Sequence, residues 1–407
     1  MPLFFRTLLA LPPVLALLAL TACAASSPSA SPAATHSDEG AGHGAIAGAR
    51  EVGEPPLALL TIDGTGGARV VDLLSGEESD LGALPRPSRV TSDGRYGFLD
   101  SAEGLTIVDS GRWTWDHGDH FHYYLAESRV VGTVPGGGPV TTSTGMLSTA
   151  GSTGLFFAGT HEAVLVDNAS LSRGELTETF RIALNHDSAI VAPLGTGAVI
   201  TVGDALVFHD ATGAATARTV PCADASGAIA TRVGVVLGCA DGAVLATWAD
   251  DDATFERIPY PDAADAGRAL EFDGRKGRPT VARRTDGTGF WLLDSRALAW
   301  RFVPTGSALA RVAAVDDADG HVVALDSDGR VRVYRDDDAD ATQESAVTDP
   351  LVDEVTAAVT LTVDDQRAYL NDPATGRVFE IDYADGARVA RTLTPAGGAE
   401  FVVEVGR

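Results

Sequence analysis

The sequence predicts an all-β protein that folds as a single β-propeller of eight blades, with seven blades as the alternative count. Short runs of β-forming residues separated by tight turns fill residues 55–407. These strand–turn–strand units recur roughly every 35–50 residues, which is the blade spacing of propellers. Amphipathic helical periodicity is almost absent from the same region. A pair of packed sheets is the competing architecture, and the steady repeat argues against it.

The repeated unit is clearest at 89–109, 190–210 and 311–334, where β-formers are bounded by Asp-Gly or Gly-Thr-Gly turns. The C-terminal strand Phe401–Val405 is predicted to pair within the first blade, which closes the ring and removes an exposed sheet edge. Eight units are predicted, and their approximate bounds are 57–84, 88–137, 139–184, 187–220, 227–260, 268–305, 310–345 and 355–394.

The N-terminus predicts a bacterial lipoprotein. Residues 1–22 carry Arg6 and an apolar run that is too short for a membrane span, and they end in the lipoprotein box Leu20-Thr21-Ala22-Cys23. Cys23 is the expected lipidation site, and an ordinary secretory peptide with an incidental cysteine is the alternative. Residues 23–54 are rich in Ser, Ala, Pro and Gly, which is typical of a flexible tether. The domain 55–407 is therefore expected on the outer face of the cytoplasmic membrane.

The two remaining cysteines, Cys222 and Cys239, are predicted to form a disulfide, because thiols in an oxidising compartment usually pair. Cysteine ligation of a metal is the less favoured interpretation.

The charge balance excludes several classes of partner. Fifty-six acidic residues against 30 basic ones give a formal charge of −26. Such acidity argues against nucleic acid and against adsorption to anionic lipid. We therefore expect contact with the membrane only through the lipid anchor. The protein is also expected to be a monomer.

The strongest chemical signal is a cluster of histidines. His117, His120 and His122 lie within six residues, together with Asp119. Imidazole and carboxylate groups are ligands that Zn²⁺ prefers. His120 and His122 share a face of an extended segment, and Gly118 allows a turn that brings His117 and Asp119 towards the same ion. A polar surface loop with chance histidines is the alternative.

Other histidines are weaker candidates. His186 precedes an inner strand and His161 lies in a hairpin turn, and the two are predicted to be neighbours on one propeller face. A metal-binding and a structural role are evenly balanced for His186, whereas a structural role is favoured for His161. His36 and His43 in the tether resemble a weak metal-collecting tail, but chance histidines in a flexible segment are the favoured interpretation.

The segment Asp116–Tyr124 (DHGDHFHYY), followed by Arg129–Val134, is similar to the periplasmic zinc metallochaperones of the AztD type. Tyr369–Pro373 and Glu380–Tyr383 resemble the last blade of that family. The resemblance implies a β-propeller that passes zinc to the solute-binding protein of a zinc ABC importer. It also implies that His117, His120 and His122 carry zinc, with His186 as a contributor.

The predicted function is capture and transfer of zinc without catalysis. A membrane-anchored propeller that serves as an interaction scaffold with incidental metal affinity is the alternative. A propeller hydrolase or lyase would need charged groups on the inner strands, and the strands at 190–193 and 313–315 are apolar. No Gly-x-Ser-x-Gly motif or cofactor fingerprint is present.

Overall fold

The computed structural model describes residues 44–116, 120–261, 269–336 and 342–407, all within the unit Gly40–Arg407. The predicted signal peptide, Cys23 and most of the predicted tether lie outside the described residues. So do His36, His43, His117 and Asp119. Within the described ranges, no helix has the length and apolar character needed to cross a membrane.

The described part of the chain is almost entirely β-structure, with one short helix, α1 (Asn168–Ser172). Asp167 caps this helix by accepting a hydrogen bond from the backbone N–H of Ser170. The strands of the first half are β1 (Arg50–Val52), β2 (Ala58–Ile62), β3 (Gly67–Asp72), β4 (Glu78–Ala83), β5 (Arg89–Ser92), β6 (Tyr96–Ser101), β7 (Gly104–Asp109), β8 (Arg112–Asp116), β9 (Phe121–Leu125), β10 (Arg129–Val134), β11 (Val140–Thr144), β12 (Ser152–Phe157), β13 (Glu162–Asp167), β14 (Glu178–Ala183), β15 (Val191–Leu194), β16 (Gly197–Val202), β17 (Ala205–His209) and β18 (Ala215–Pro221).

The second half continues the same pattern. Its strands are β19 (Ala228–Ala230), β20 (Val235–Cys239), β21 (Gly242–Ala249), β22 (Asp252–Pro259), β23 (Ala269–Asp273), β24 (Thr280–Thr285), β25 (Gly289–Asp294), β26 (Ala299–Pro304), β27 (Leu309–Ala314), β28 (Val322–Asp326), β29 (Val331–Asp336), β30 (Thr342–Val347), β31 (Leu361–Val363), β32 (Ala368–Asp372), β33 (Arg377–Asp382), β34 (Arg388–Leu393) and β35 (Phe401–Val405).

The described strands form eight four-stranded antiparallel sheets and one three-stranded sheet. Six of the four-stranded sheets are simple meanders of consecutive strands: β11–β14, β15–β18, β19–β22, β23–β26, β27–β30 and β31–β34. The other two have the orders β35-β2-β3-β4 and β10-β7-β6-β5. The prediction of an all-β propeller is confirmed, whereas the number of blades in the ring stays a prediction.

The predicted closing strand is confirmed. β35 pairs antiparallel with β2, from Ala58 opposite Val405 to Ile62 opposite Phe401. All five residues of β35 are buried. The last strand of the chain therefore completes the sheet that contains the first long strand, and that sheet edge is paired rather than open.

Burial follows the position of a strand within its sheet. The inner strands β2, β6 and β32 are buried along their whole length, whereas β4 and β34 at the outer edges are largely exposed. Inner strands contact neighbouring sheets on both faces, which explains their nearly continuous apolar sequences. Side chains of adjacent sheets form shared cores, such as the one that joins Leu60, Leu99 and Val403.

Cys222 and Cys239 form a disulfide, as the sequence predicts. Cys222 lies in the connection between β18 and β19, and Cys239 ends β20. β19 pairs with β20, so the bond ties the entrance of one sheet to its second strand. Both cysteines are buried within an apolar cluster that also contains Leu237 and Val244.

The three-stranded sheet is an addition to the repeating pattern. Its order is β1-β9-β8, and the β8–β9 hairpin is inserted between β7 and β10, which are neighbours in a four-stranded sheet. β1 pairs with β9 through Arg50–Leu125, Glu51–Tyr124 and Val52–Tyr123. The segment predicted as a flexible tether, 23–54, thus contains a strand near its C-terminal end, while the exact border of the propeller domain stays a prediction.

Candidate metal site

The β8–β9 hairpin carries the described histidines of the predicted cluster. Trp115 lies opposite His122 in the hairpin register, and Asp116 lies opposite Phe121. His120 directly precedes β9 and His122 is its second residue. The two imidazoles therefore lie near the tip of the hairpin, at the end remote from its connections to β7 and β10.

The root of the hairpin is held by a buried ion pair. Arg95 donates from Nε and Nη2 to the two carboxylate oxygens of Asp109, at 2.9 and 2.8 Å. Asp109 Oδ1 also accepts from the backbone N–H of Gly111, at the start of the insertion. The Arg95 guanidinium lies 4.0 Å from the Trp113 ring centroid, a cation–π contact in a buried setting. These contacts fix the direction in which the hairpin leaves the propeller.

The hairpin also contacts two other parts of the propeller. Thr114 donates a 2.8 Å hydrogen bond to the carbonyl of Gly406, near the C-terminus. Closer to the tip, Asp116 forms a 3.3 Å ion pair with Arg232, in the turn between β19 and β20. The Arg232 backbone N–H donates to the carbonyl of Gly277, in the β23–β24 connection. The hairpin therefore rests on turns of several sheets, which orders it beyond its own two strands.

His120 and His122 converge through the same ring atom. Their Nε2 atoms are 3.0 Å apart, and their rings meet edge to face with centroids 4.8 Å apart. Two imidazoles bound to one tetrahedral zinc, with Zn–N bonds of about 2.0–2.1 Å, hold their nitrogens roughly 3.3 Å apart. The described geometry is thus close to that of two ligands of a single ion.

The other nitrogen of His122 has a partner that the sequence does not reveal. His122 Nδ1 lies 2.8 Å from Glu51 Oε1, on β1. Glu51 is 71 residues away in the sequence and falls in the predicted tether, so residue spacing could not associate it with the histidines. The one local sign is the short β-compatible run Arg50–Val52, which is too brief to predict a strand.

Aromatic residues support the histidine face of this sheet. Trp113 and Tyr124 stack with ring centroids 5.2 Å apart, and both are buried. Tyr124 also stacks on His122 at 6.4 Å. Burial, with the nearby Glu51 carboxylate, raises the pKa of the Tyr124 phenol. Tyr124 therefore stays neutral near pH 7 and supports the imidazole as an apolar surface.

His161 and His186 are neighbours, as predicted, but they lie away from the hairpin. His161 Nδ1 is 2.8 Å from the carbonyl oxygen of His186 and 3.7 Å from Asp187 Oδ1. His161 lies at the start of β13. Helix α1 follows the other end of β13, and the Ser172 carbonyl in α1 accepts hydrogen bonds from Arg95 and Arg129 at the hairpin root. A six-residue strand spans on the order of 20 Å. The structure therefore does not bring His186 to His120 and His122.

The ligand set visible in the described residues is incomplete. His117 and Asp119 lie outside them, and within the described ranges no group of three or more His, Cys, Asp or Glu side chains is placed to hold a metal. The structure brings together His120 and His122, and it adds Glu51 behind His122.

Buried acids form a second group of titratable residues, far from the histidines in sequence. Glu404 of β35 is fully buried, and its Oε2 lies 3.1 Å from Arg407 Nη2. Asp364 is also buried and accepts a 3.3 Å hydrogen bond from the Tyr369 hydroxyl. Desolvation, opposed by Arg407 and reinforced by the nearby Asp364, raises the pKa of Glu404 to about 8. The predicted strands 190–193 and 313–315 are apolar and buried, but the inner strand β35 thus carries an acid.

Fold and site together define a class: an all-β propeller with an inserted hairpin that presents converging imidazoles. Among solved structures, the chain is similar to AztD of Citrobacter koseri, with a TM-score of 0.71 and 17% identity over 86% of this chain and 97% of that one. The apo form of the same protein has a TM-score of 0.71 and 16% identity over the same shares.

A more distant likeness is Sqt1 of Saccharomyces cerevisiae, with a TM-score of 0.52 and 14% identity over 79% of this chain and 92% of that one. No family model and no curated protein matches the sequence. At these identities the comparisons show the fold. The resemblance to AztD-type proteins is thus confirmed at the level of the propeller architecture.

Proposed function

We propose that this protein captures Zn²⁺ through the β8–β9 hairpin and passes it to the solute-binding protein of a zinc ABC importer. The observation that carries the proposal is the 3.0 Å approach of His120 Nε2 to His122 Nε2, on a hairpin rooted in the propeller by the Arg95–Asp109 pair. His117 and Asp119 are the proposed further ligands. The chain is proposed to be anchored through Cys23 outside the cytoplasmic membrane.

The position of the pair suits transfer of a metal. His120 and Phe121 are exposed at the tip, whereas the hairpin root is buried. A partner could therefore replace ligands one at a time without disturbing the propeller core. The formal charge of −26 would favour the approach of a partner with basic patches and speed their encounter. None of these steps requires catalysis.

Zinc titration of the purified protein tests the binding step. A chelator competition compares the parent, a His120→Ala/His122→Ala variant and a matched His161→Ala/His186→Ala control. We expect the parent and the control to bind about one zinc with a sub-micromolar constant, and the hairpin variant to lose at least 100-fold in affinity. Equal binding by all three proteins would refute the hairpin site.

The alternative function is a membrane-anchored interaction scaffold with incidental metal affinity. Transfer distinguishes the two functions. Zinc-loaded protein is mixed with apo solute-binding protein from the same cell, the two are separated by size, and the metal is counted in each. Movement of zinc faster than its spontaneous release supports the chaperone, whereas release at the spontaneous rate supports the scaffold.

A further inference from the structure

The Glu51–His122 contact joins two distant segments at the site. Glu51 lies opposite Tyr124 in the β1–β9 register, so its side chain shares a face with His122. Its Oε1 lies 2.8 Å from Nδ1, while Nε2 on the other side of the ring faces His120. In this geometry the carboxylate and a metal at Nε2 occupy opposite sides of one imidazole.

This arrangement determines which nitrogen of His122 carries the proton. An ionised carboxylate only accepts hydrogen bonds, so a neutral His122 must hold its proton on Nδ1 to donate to Glu51. Nε2 of His122 then presents its lone pair towards His120. When His122 Nε2 accepts in the Nε2···Nε2 contact, His120 Nε2 is the nitrogen that donates.

We propose that Glu51 is a positioning residue of the metal site, which fixes the tautomer and ring orientation of His122. The inference rests on the proposed zinc function. Carboxylates that accept from the remote nitrogen of a histidine ligand raise its basicity and hold its ring, and their loss typically lowers metal affinity 10–100-fold. Strand β1, although it lies in the segment predicted as a tether, is thus part of the site.

Two contacts hold Glu51 in place. The three-residue pairing of β1 with β9 sets its register. Upstream of β1, the carbonyl of Gly44 accepts a 3.0 Å hydrogen bond from Trp113 Nε1 in β8. A side chain at Gly44 would lie 2.5 Å from the Trp115 ring, and its φ of +74° also favours glycine. The segment 44–52 is therefore hydrogen-bonded to both strands of the hairpin.

The test compares Glu51→Ala, Glu51→Gln and the control Glu54→Ala. Glu54 is an exposed carboxylate three residues further along, outside β1. Nitrogen-15 spectra of the metal-free protein report the tautomer of His122, and chelator competition reports zinc affinity. We expect Glu51→Ala to lose the Nδ1–H tautomer and 10–100-fold in affinity. Glu51→Gln keeps an acceptor oxygen, so it should retain the tautomer with a smaller loss, and Glu54→Ala should match the parent.

The outcomes separate this proposal from the zinc function. If the parent binds no zinc, the proposed function fails, and the tautomer of the metal-free Glu51→Ala protein still decides whether Glu51 positions His122. An unchanged tautomer in Glu51→Ala overturns the positioning role. So does an equal loss of affinity in Glu54→Ala, which would indicate a general charge effect. Loss of a coordinating oxygen from the zinc X-ray absorption spectrum of Glu51→Ala would instead make Glu51 a direct ligand.

Discussion

The three-stranded sheet β1-β9-β8 and the four-stranded sheets of the propeller differ in how much of each strand is buried. In β6 all six residues are buried, including three apolar or aromatic side chains, Tyr96, Phe98 and Leu99. In β9 only Tyr124 is buried, and Phe121 is 53% exposed. The propeller sheets gain their stability from packing on both faces, whereas β9 of the added sheet is mostly unburied and carries the half-buried His122.

This difference indicates a division between stability and binding within one domain. The added sheet joins the propeller through a small buried root, Arg95, Asp109 and Trp113. Substitutions in the propeller sheets should therefore lower stability without changing metal affinity, and substitutions near the hairpin tip should do the reverse.

The same change made in both regions should give the largest contrast. Phe98→Ala in β6 removes a ring that is 1% exposed, and we expect the free energy of unfolding to fall by about 3–5 kcal/mol. Phe121→Ala in β9 should lower it by less than about 1 kcal/mol. Denaturant unfolding measures both. Equal losses would show that the hairpin tip is as tightly packed as the propeller sheets.

Removal of the disulfide should be the next largest effect. Cys222 and Cys239 close a loop with a sequence separation of 17, for which loss of the cross-link costs about 3 kcal/mol. The Cys222→Ser/Cys239→Ser variant should unfold at lower denaturant, with zinc affinity equal to that of the parent. A loss of zinc binding while the variant remains folded would show that this sheet contributes to metal binding. That result would contradict the division between stability and binding.

The pH dependence of stability should reveal the buried acid of β35. The Glu404 carboxyl has an ordinary pKa of 4.5 when unfolded and about 8 when folded. Between these values the unfolded chain releases a proton that the folded chain keeps, so stability should fall as pH rises from 4.5 to 8.

Glu404→Gln has no carboxyl proton to retain in this window. The free energy of unfolding of the variant should therefore fall less than that of the parent, and the difference should be on the order of 2 kcal/mol. Unfolding curves at pH 5 and pH 8 measure the difference, with exposed Glu256→Gln as the control. A parent and a Glu404→Gln variant with parallel pH profiles would contradict the account.

Removal of the ion pair between the hairpin tip and the propeller should have the smallest effect on the free energy of unfolding. Asp116 and Arg232 are roughly half exposed, and ion pairs of this kind contribute about 0–1 kcal/mol. Arg232→Gln should change the free energy of unfolding by less than about 1 kcal/mol. Thermal unfolding checks this, and a larger loss would mean that the hairpin tip contributes to global stability.

The fold was largely predictable because each repeat contains local sequence signals for its strands and turns. Alternating β-formers and Asp-Gly turns identify hairpins, and the closing pair β2–β35 follows from the need to cover a sheet edge. The added sheet was not predictable in the same way. Its β1 is three residues long and pairs with a strand about 70 residues later, and no short-range pattern encodes that contact.

The site was predictable in part. His120 and His122 share a face because side chains in a strand repeat every two residues. The family resemblance implies that His186 contributes to the metal site. In the structure His186 contacts His161 at the start of β13, whereas the hairpin root lies near the other end of β13. Glu51 could not be found at all, since its role depends on a tertiary contact rather than on its neighbours in sequence.

The most direct test of the account is an anomalous difference map of zinc-loaded crystals, collected on both sides of the zinc absorption edge. We predict one strong peak about 2.1 Å from Nε2 of both His120 and His122, with Glu51 still bound to Nδ1 of His122. A peak beside His161 and His186, or no peak within bonding distance of the hairpin histidines, would contradict the central claim that the added sheet is the metal site.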